Sequence, residues 1–298
     1  MERVQFKSRG IDVVGHIYLP DTPSKTKYPA IIVAPPFGGV KEQASGRYAK
    51  LLSSAGFIAL AYDSAYFGDS FGSPRFLVDP KQEIADVEAA ASYLASRDDV
   101  DSERIGALGF GAGGGWAIGA AASNISIKAV ATISAVDLCD LFRSGLGGTK
   151  TKEELDAELA EAKELREREE AGEEPKWEYI VPNTLSEVKT DTQRLYKEGA
   201  EYYRTPRGLH PSADNKYLKR SVELLVGASV LDKIKRVSPR PVLLIAGEEA
   251  DTLYFSKRAH ELSDRHTDLE IVPGKSHFDL FDDYTVTLPK LVEFFKRI

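Results

Sequence analysis

The chain has 298 residues, of which 42% are hydrophobic and 29% are charged, a balance typical of a folded globular protein and not of a disordered chain. Its formal net charge of −7 argues against a nucleic-acid partner, and its single cysteine, Cys139, excludes an internal disulfide and a cysteine-cluster zinc site. No apolar run approaches the roughly 18 residues of a membrane span. The opening MERVQFKSRG lacks an apolar signal core, so we expect a cytoplasmic protein with no membrane partner.

Short apolar segments alternate with helical patterns along most of the chain. The segments predict strands at residues 13–19, 30–34, 57–62, 104–109, 128–134, 241–246 and 269–272. Residues 81–95 predict a helix, because Ile84, Val87, Ala91 and Leu94 recur at the spacing of one helical face. This alternation is typical of an α/β fold with a mostly parallel central sheet flanked by helices, and we expect the first strands to pair antiparallel at its edge.

The alternation stops between residues 137 and 238, where no buried-strand pattern occurs. Thr151 and Glu154 form a capping box that opens a predicted helix over residues 151–171, and Gly172 can end it. We therefore expect a core of residues 1–136 and 239–298 with an inserted helical cap lobe of residues 137–238. That lobe should cover the carboxyl edge of the sheet, where open α/β sheets bind ligands.

A glycine-rich turn follows the predicted strand at 104–109 and permits two interpretations. Gly109, Gly111 and Gly114 fit the G-x-G-x-x-G turn of dinucleotide-binding proteins, but that turn belongs to the first βα unit with an acidic residue about 20 positions later. Residues 109–113 also fit G-x-S-x-G, the strand-to-helix elbow that presents a nucleophile, except that Gly111 stands at the nucleophile position. The elbow is the favoured interpretation, with that position vacant.

Candidate partners for an elbow follow in the chain order nucleophile, acid, histidine. Asp251 comes after one predicted strand and His277 after the next, so we expect Asp251 to orient His277, with Glu248 and Glu249 as rivals for that role. An oxyanion hole needs two backbone N–H groups. We predict that Phe37 and Ala112 supply them, because the neighbouring prolines have no N–H.

The pocket should combine aromatic side chains with a cation. Tyr66, Trp116, Tyr203, Arg204 and His210 are the predicted substrate-binding residues, which would suit a largely apolar small molecule with a carboxylate or enolate oxygen. The five histidines show no H-E-x-x-H spacing, so no metal is expected, and no cofactor motif remains.

With these residues placed, the chain resembles the α/β-hydrolase superfamily, and most of all its dienelactone-hydrolase-like branch with the YcjY-type hydrolases. The resemblance spans nearly the whole chain and is carried by the elbow and by PPFGGVKEQASG, AYDSAYFGDSFGSPRFLVDP, EYYRTPRGLHP, RPVLLIAGEEADTLYFS and PGKSHFDLFD. It implies the α/β-hydrolase fold, a Cys or Ser nucleophile at the position of Gly111, an acid at Asp251 and a general base at His277. Glycine at the nucleophile position departs from the family pattern, because no acyl-enzyme can form there.

Three functions remain open. The first is a lyase, isomerase or cyclase that acts on a carbonyl-containing metabolite, with His277 as general acid/base and an oxyanion hole for the enolate. The second is an ester or thioester hydrolase, either inactivated at Gly111 or using water activated by His277. The third is a pseudoenzyme that binds a ligand. Apart from the choice of function, a homodimer is a possible assembly.

Overall fold

The computed structural model describes residues 1–22 and 26–298 and contains an eight-stranded and a two-stranded sheet. The strands are β1 (Glu2–Ser8), β2 (Ile11–Tyr18), β3 (Tyr28–Ala34), β4 (Ile58–Tyr62), β5 (Val100–Phe110), β6 (Ile127–Ile133), β7 (Trp177–Tyr179), β8 (Lys216–Leu218), β9 (Val242–Gly247) and β10 (Thr267–Val272). The helices are α1 (Ala44–Ser54), α2 (Pro80–Ala95), α3 (Ala112–Ser123), α4 (Leu138–Ser144), α5 (Lys152–Glu170), α6 (Arg194–Tyr203), α7 (Val222–Leu225), α8 (Leu253–Leu262), α9 (Asp279–Asp282) and α10 (Tyr284–Phe295).

The large sheet has the strand order β1-β2-β4-β3-β5-β6-β9-β10. The strands from β4 to β10 in this order pair parallel, whereas β2 pairs antiparallel with both β1 and β4. The mostly parallel sheet and its antiparallel first strands agree with the sequence prediction. Its central strands are buried on both faces, which explains their continuous apolar sequences.

Helices cover both faces of this sheet and create two apolar cores. One core packs α2, α3 and α8 against the sheet, and the other packs α1 and α10 against the opposite face. The start of α2 shows how local sequence sets these elements: the Asp79 carboxylate accepts a hydrogen bond from the Lys81 N–H, and Pro80 occupies the first helical position. The two apolar cores together bury both faces of the sheet.

Residues 137–238 follow β6 and contain α4 to α7, a short antiparallel ribbon and a 3-10 segment at Leu231–Arg236. The capping box of Thr151 and Glu154 opens α5 as the sequence predicts. The segment is not helical throughout, because β7 and β8 pair from Trp177 opposite Leu218 to Tyr179 opposite Lys216. Strands of three residues are too short to show an alternating pattern in the sequence.

Leu231 and Ile234 of the 3-10 segment are buried in the core that contains α3. The end of the segment 137–238 therefore packs onto the sheet assembly itself. Among the described residues, no helix is both long enough and apolar enough to cross a membrane.

Candidate active site

The glycine-rich turn links β5 to α3 at the middle of the large sheet. Gly111 has φ 52° and ψ −119°, a conformation that side-chain-bearing residues rarely adopt. Its N–H donates to the Ile133 carbonyl, and its own carbonyl accepts from the N–H groups of Gly114 and Val136. These hydrogen bonds hold Gly111 in an elbow conformation at the carboxyl ends of β5 and β6.

The neighbouring glycines permit close approach of the backbone segments around the elbow. A Cβ at Gly109 would lie 2.2 Å from the Gly113 carbonyl oxygen, and one at Gly113 would lie 2.3 Å from the Pro35 oxygen. A Cβ at Gly111 meets only ordinary contacts, with Pro36 Cβ at 3.6 Å and His277 Nε2 at 3.7 Å. Space for a side chain therefore exists at Gly111, directly in front of the imidazole.

His277 lies in the loop after β10 and is only 4% exposed. Its ring contacts Phe278 and Phe281, with centroid separations of 4.7 and 5.2 Å. Burial lowers the pKa of His277 to about 3, because nothing charged compensates for the lost hydration of the imidazolium. The imidazole is therefore neutral around neutral pH.

The structure corrects the expected partner of His277. Asp251 is exposed, and its carboxylate accepts a hydrogen bond from the Leu195 N–H at 3.1 Å. The Thr252 hydroxyl, 1% exposed, lies 2.7 Å from His277 Nδ1 instead. The predicted partner, Asp251, is the neighbour of Thr252 in the chain. Only carboxylates were predicted for this role from the sequence, and Thr252 carries a hydroxyl.

The two rival carboxylates also contact other groups. Glu248 accepts a hydrogen bond from the Gly274 N–H at 3.2 Å, and Glu249 pairs with Arg194 at 2.9 Å. The hydroxyl of Thr252 is therefore the polar side-chain group that fixes the orientation of the His277 ring.

Phe37 and Ala112 occupy the positions predicted for the oxyanion hole. Phe37 lies in the loop after β3, Ala112 is the first residue of α3, and both line the same cavity as Gly111 and His277. Within the described part of the chain, neither backbone N–H donates a hydrogen bond to a protein acceptor. The N-terminus of α3, where Ala112 lies, adds a partial positive charge at this end of the cavity.

The cavity has a volume of 610 Å³ and runs from the elbow to residues of the segment 137–238. Its inner wall is largely apolar and includes Pro36, Phe37, Gly111, Ala112, Val136, Leu138, His277, Phe278 and Phe281. Its outer wall is polar and charged and includes Lys150, Glu154, Glu158, Glu161, Glu178, Tyr196, Tyr217 and Lys219. A ligand of drug-like size fits this volume.

Of the predicted substrate-binding residues, Tyr203 lines the cavity and four do not. Trp116 is buried in the core beside the sheet, and Tyr66 packs against Gly72 in the loop after β4. The Arg204 Nε donates to the Asn183 carbonyl at 2.9 Å, and His210 Nδ1 accepts from the Ser212 N–H at 3.3 Å. The motif EYYRTPRGLHP therefore supplies one aromatic side chain to the cavity and no cation.

Sequence reasoning missed the residues that form the outer wall. Phe142, Glu178, Tyr217 and Lys219 come from four separate elements or loops of the segment 137–238. Each is an ordinary surface-type or apolar residue in its local sequence. No periodic signal brings them together, so only the tertiary structure could identify them.

The loop that carries Phe37 is anchored by a buried ion cluster. Lys41 is fully buried, and its ammonium group lies 2.8 Å from Asp63, 2.9 Å from Asp69 and 2.8 Å from Glu42. The Lys41 N–H also donates to Asp63 at 2.7 Å. Because Asp63 directly follows β4, the cluster fixes this loop to the neighbouring strand end.

The sheet order, the elbow and the histidine after the last strand define an α/β hydrolase. The fold matches the crystal structure of the α/β hydrolase GrgF from Penicillium sp. sh18 with a TM-score of 0.84 at 22% identity, covering 99% of this chain and 98% of that one. Residues 9–230 match the family described as X-Pro dipeptidyl-peptidase (S15 family), and the chain belongs to this family.

Three relatives match most of the chain. The uncharacterized protein PA2218 of Pseudomonas aeruginosa is 35% identical over 94% of this chain and 76% of its own. The crystal structure of PA2218 superposes with a TM-score of 0.94, at 33% identity over 99% of this chain and 92% of that one. The uncharacterized protein YcjY of Escherichia coli is 33% identical over 89% of this chain and 87% of its own. The polyketide transferase claH of Penicillium crustosum is 24% identical over 99% of this chain and 97% of its own.

Proposed function

We propose that this protein is a non-hydrolytic enzyme that moves a proton on a carbonyl-containing small molecule, as an isomerase, lyase or cyclase does. One observation carries the proposal: His277 Nε2 faces a position at Gly111 where no side chain stands. Gly111 cannot form an acyl-enzyme, yet the imidazole and two free amide donors remain beside it. This set of groups suits enolate chemistry better than covalent hydrolysis.

The proposed reaction begins with the substrate carbonyl oxygen bound by the N–H groups of Phe37 and Ala112. His277 Nε2 then takes a proton from the adjacent carbon, and the electron pair of the broken C–H bond forms the enolate. The imidazolium returns the proton at another carbon or to a leaving group, so that charge and atoms balance. The Thr252 hydroxyl accepts the Nδ1–H during this cycle, which keeps the Nε2 lone pair directed at the substrate.

The low pKa of His277 is compatible with this role. In the free protein the ring is neutral and ready to accept a proton. Once the proton has moved, the enolate lies against the imidazolium and stabilises it, which offsets the cost of charging a buried ring. The imidazolium form of His277 is therefore stable only when an enolate lies beside it in the cavity.

Hydrogen exchange tests the proposal without knowledge of the natural substrate. Ketones and thioesters are incubated with the protein in D₂O, and loss of the α-proton signals is followed by proton NMR. We expect exchange with the wild-type protein and none above background with His277→Gln. Ester cleavage by the wild-type protein that also requires His277, with no exchange, would contradict proton transfer and support hydrolysis.

Hydrolysis of an ester or thioester is the second candidate function. It is favoured by the space in front of Gly111, where a Cβ meets no contact shorter than 3.6 Å. In this case His277 activates a water molecule that occupies the nucleophile position. Absence of both exchange and cleavage for all carbonyl compounds would favour the third role, ligand binding without turnover.

A further inference from the structure

The outer half of the cavity carries a net negative charge. Among the described lining residues, the charged side chains are Glu154, Glu158, Glu161, Glu178, Lys150 and Lys219, four carboxylates against two ammonium groups. The neutral ring of His277 at the inner end adds no positive charge. A ligand that enters the cavity therefore meets a net charge of −2 (2 − 4) from its lining.

Both lysines are already paired with these carboxylates. The Lys219 ammonium lies 2.7 Å from Glu161 and 3.0 Å from Glu178. The Lys150 ammonium lies 2.6 Å from Glu158 and donates to the Phe142 carbonyl at 2.7 Å. Neither lysine is free to bind an anionic ligand, so the unbalanced charge of the wall is negative.

Aromatic rings separate this charged wall from the oxyanion donors. The ring centroid of Tyr217 lies 5.6 Å from Phe37 and 5.4 Å from Phe142, and the latter two lie 6.1 Å apart. The Tyr217 hydroxyl donates to Glu178 at 2.6 Å. Aromatic faces attract substituted ammonium groups, and nearby carboxylates strengthen that attraction.

We propose that the substrate carries a substituted ammonium group, which binds in the outer half of the cavity against Phe142 and Tyr217, attracted by the net negative charge of the wall. Charge repulsion from the same wall disfavours polyanionic carriers such as nucleotide-linked thioesters. This inference rests on the proposed function in taking the cavity as the substrate site. It does not depend on which carbonyl reaction follows.

Two probes of the same shape isolate the effect of charge. Acetylcholine contains a quaternary ammonium group, and 3,3-dimethylbutyl acetate replaces its nitrogen by carbon. Binding of each to the wild-type chain is measured by NMR titration. We expect acetylcholine to bind about tenfold more tightly than the uncharged probe at low ionic strength. This factor is the Coulomb attraction of two net negative charges roughly 7 Å from the ammonium group in a largely aqueous cavity mouth. The difference in affinity should shrink in high salt, which screens that attraction.

Variants assign the effect to this wall. The double variant Glu158→Gln with Glu178→Gln, and separately Phe142→Leu, should each reduce the preference for acetylcholine. Glu164→Gln is the matched control, because Glu164 lies on the same helix α5, is exposed and does not line the cavity. Thermal unfolding confirms that each variant is folded.

Equal or tighter binding of the uncharged probe, or failure of both probes to bind, would overturn the inference. A preference that survives in both wall variants would overturn it as well. The proposed function is tested separately, since acetylcholine can bind without α-proton exchange. If the wild-type protein prefers acetylcholine but exchanges no α-protons, proton transfer alone is refuted. If it exchanges α-protons but does not prefer acetylcholine, the ammonium site alone is refuted.

Discussion

Replacement of Thr252 by valine tests whether its hydroxyl holds the imidazole of His277. Valine keeps the shape of the side chain but removes the oxygen that lies 2.7 Å from His277 Nδ1. Both residues are buried, so Nδ1 loses its partner without access to water. Leaving such a group unpaired costs about 1–3 kcal/mol, which corresponds to a decrease in Tm of roughly 2–10 °C.

Urea unfolding of wild type, Thr252→Val and Thr252→Ser measures this cost, and the serine variant should retain most of the stability. The same valine substitution in a His277→Phe background should cost almost nothing, because the imidazole is gone. α-Proton exchange by Thr252→Val should also fall, by about 5- to 150-fold if the same free energy is lost from the transition state. An equal loss of stability in both backgrounds would show that Thr252 acts through packing and not through His277.

Three further predictions concern the same region and its surroundings. Gly111→Ser should lower the free energy of unfolding by roughly 1–3 kcal/mol, because φ 52° strains a residue with a side chain. The same substitution should create ester cleavage that depends on His277. Turnover of p-nitrophenyl butyrate, compared with Gly111→Ala, measures this, and a serine variant as inactive as the alanine variant would contradict a competent imidazole. The pKa of His277 falls from 6.5 to about 3 on burial, so the unfolded chain binds more protons and stability is lost as the pH falls from 6.5 towards 3. An NMR titration of its ring protons with a midpoint near 6.5 would refute this. Burial raises the pKa of Glu83, which accepts a hydrogen bond from Ser64, from 4.5 to about 8, so stability is lost as the pH rises from 4.5 to about 8 and changes no further above that. Glu83→Gln should remove that decline from a urea unfolding series that spans the interval between the two pKa values, and an unchanged decline would assign it to another group.

The sequence predicts the sheet well because its central strands are buried on both faces. Strands such as β3 and β6 consist of continuous apolar residues, a pattern set by burial and independent of distant contacts. The edge strand β1 escaped prediction because most of its residues are exposed. The ribbon of β7 and β8 escaped prediction because each of its strands is only three residues long.

The candidate site is only partly predictable. The sequence predicts that Gly111, His277, Phe37 and Ala112 lie close together because each follows a strand end or turn, and all four line one cavity. Thr252 was missed, because choosing between neighbouring residues of one loop requires the direction of each side chain. The aromatic and charged outer wall depends on contacts between distant parts of the chain, and no local pattern encodes these.

The positive φ of Gly111 has an evolutionary consequence. The codons GGT and GGC become serine or cysteine codons through a change of their first base, and the turn already has the backbone geometry that such a residue would adopt. With either of these codons, a nucleophile at this position lies a single base substitution away and needs no remodelling of the sheet. The scaffold can therefore accept a nucleophilic side chain at this one position while the imidazole of His277 keeps its place.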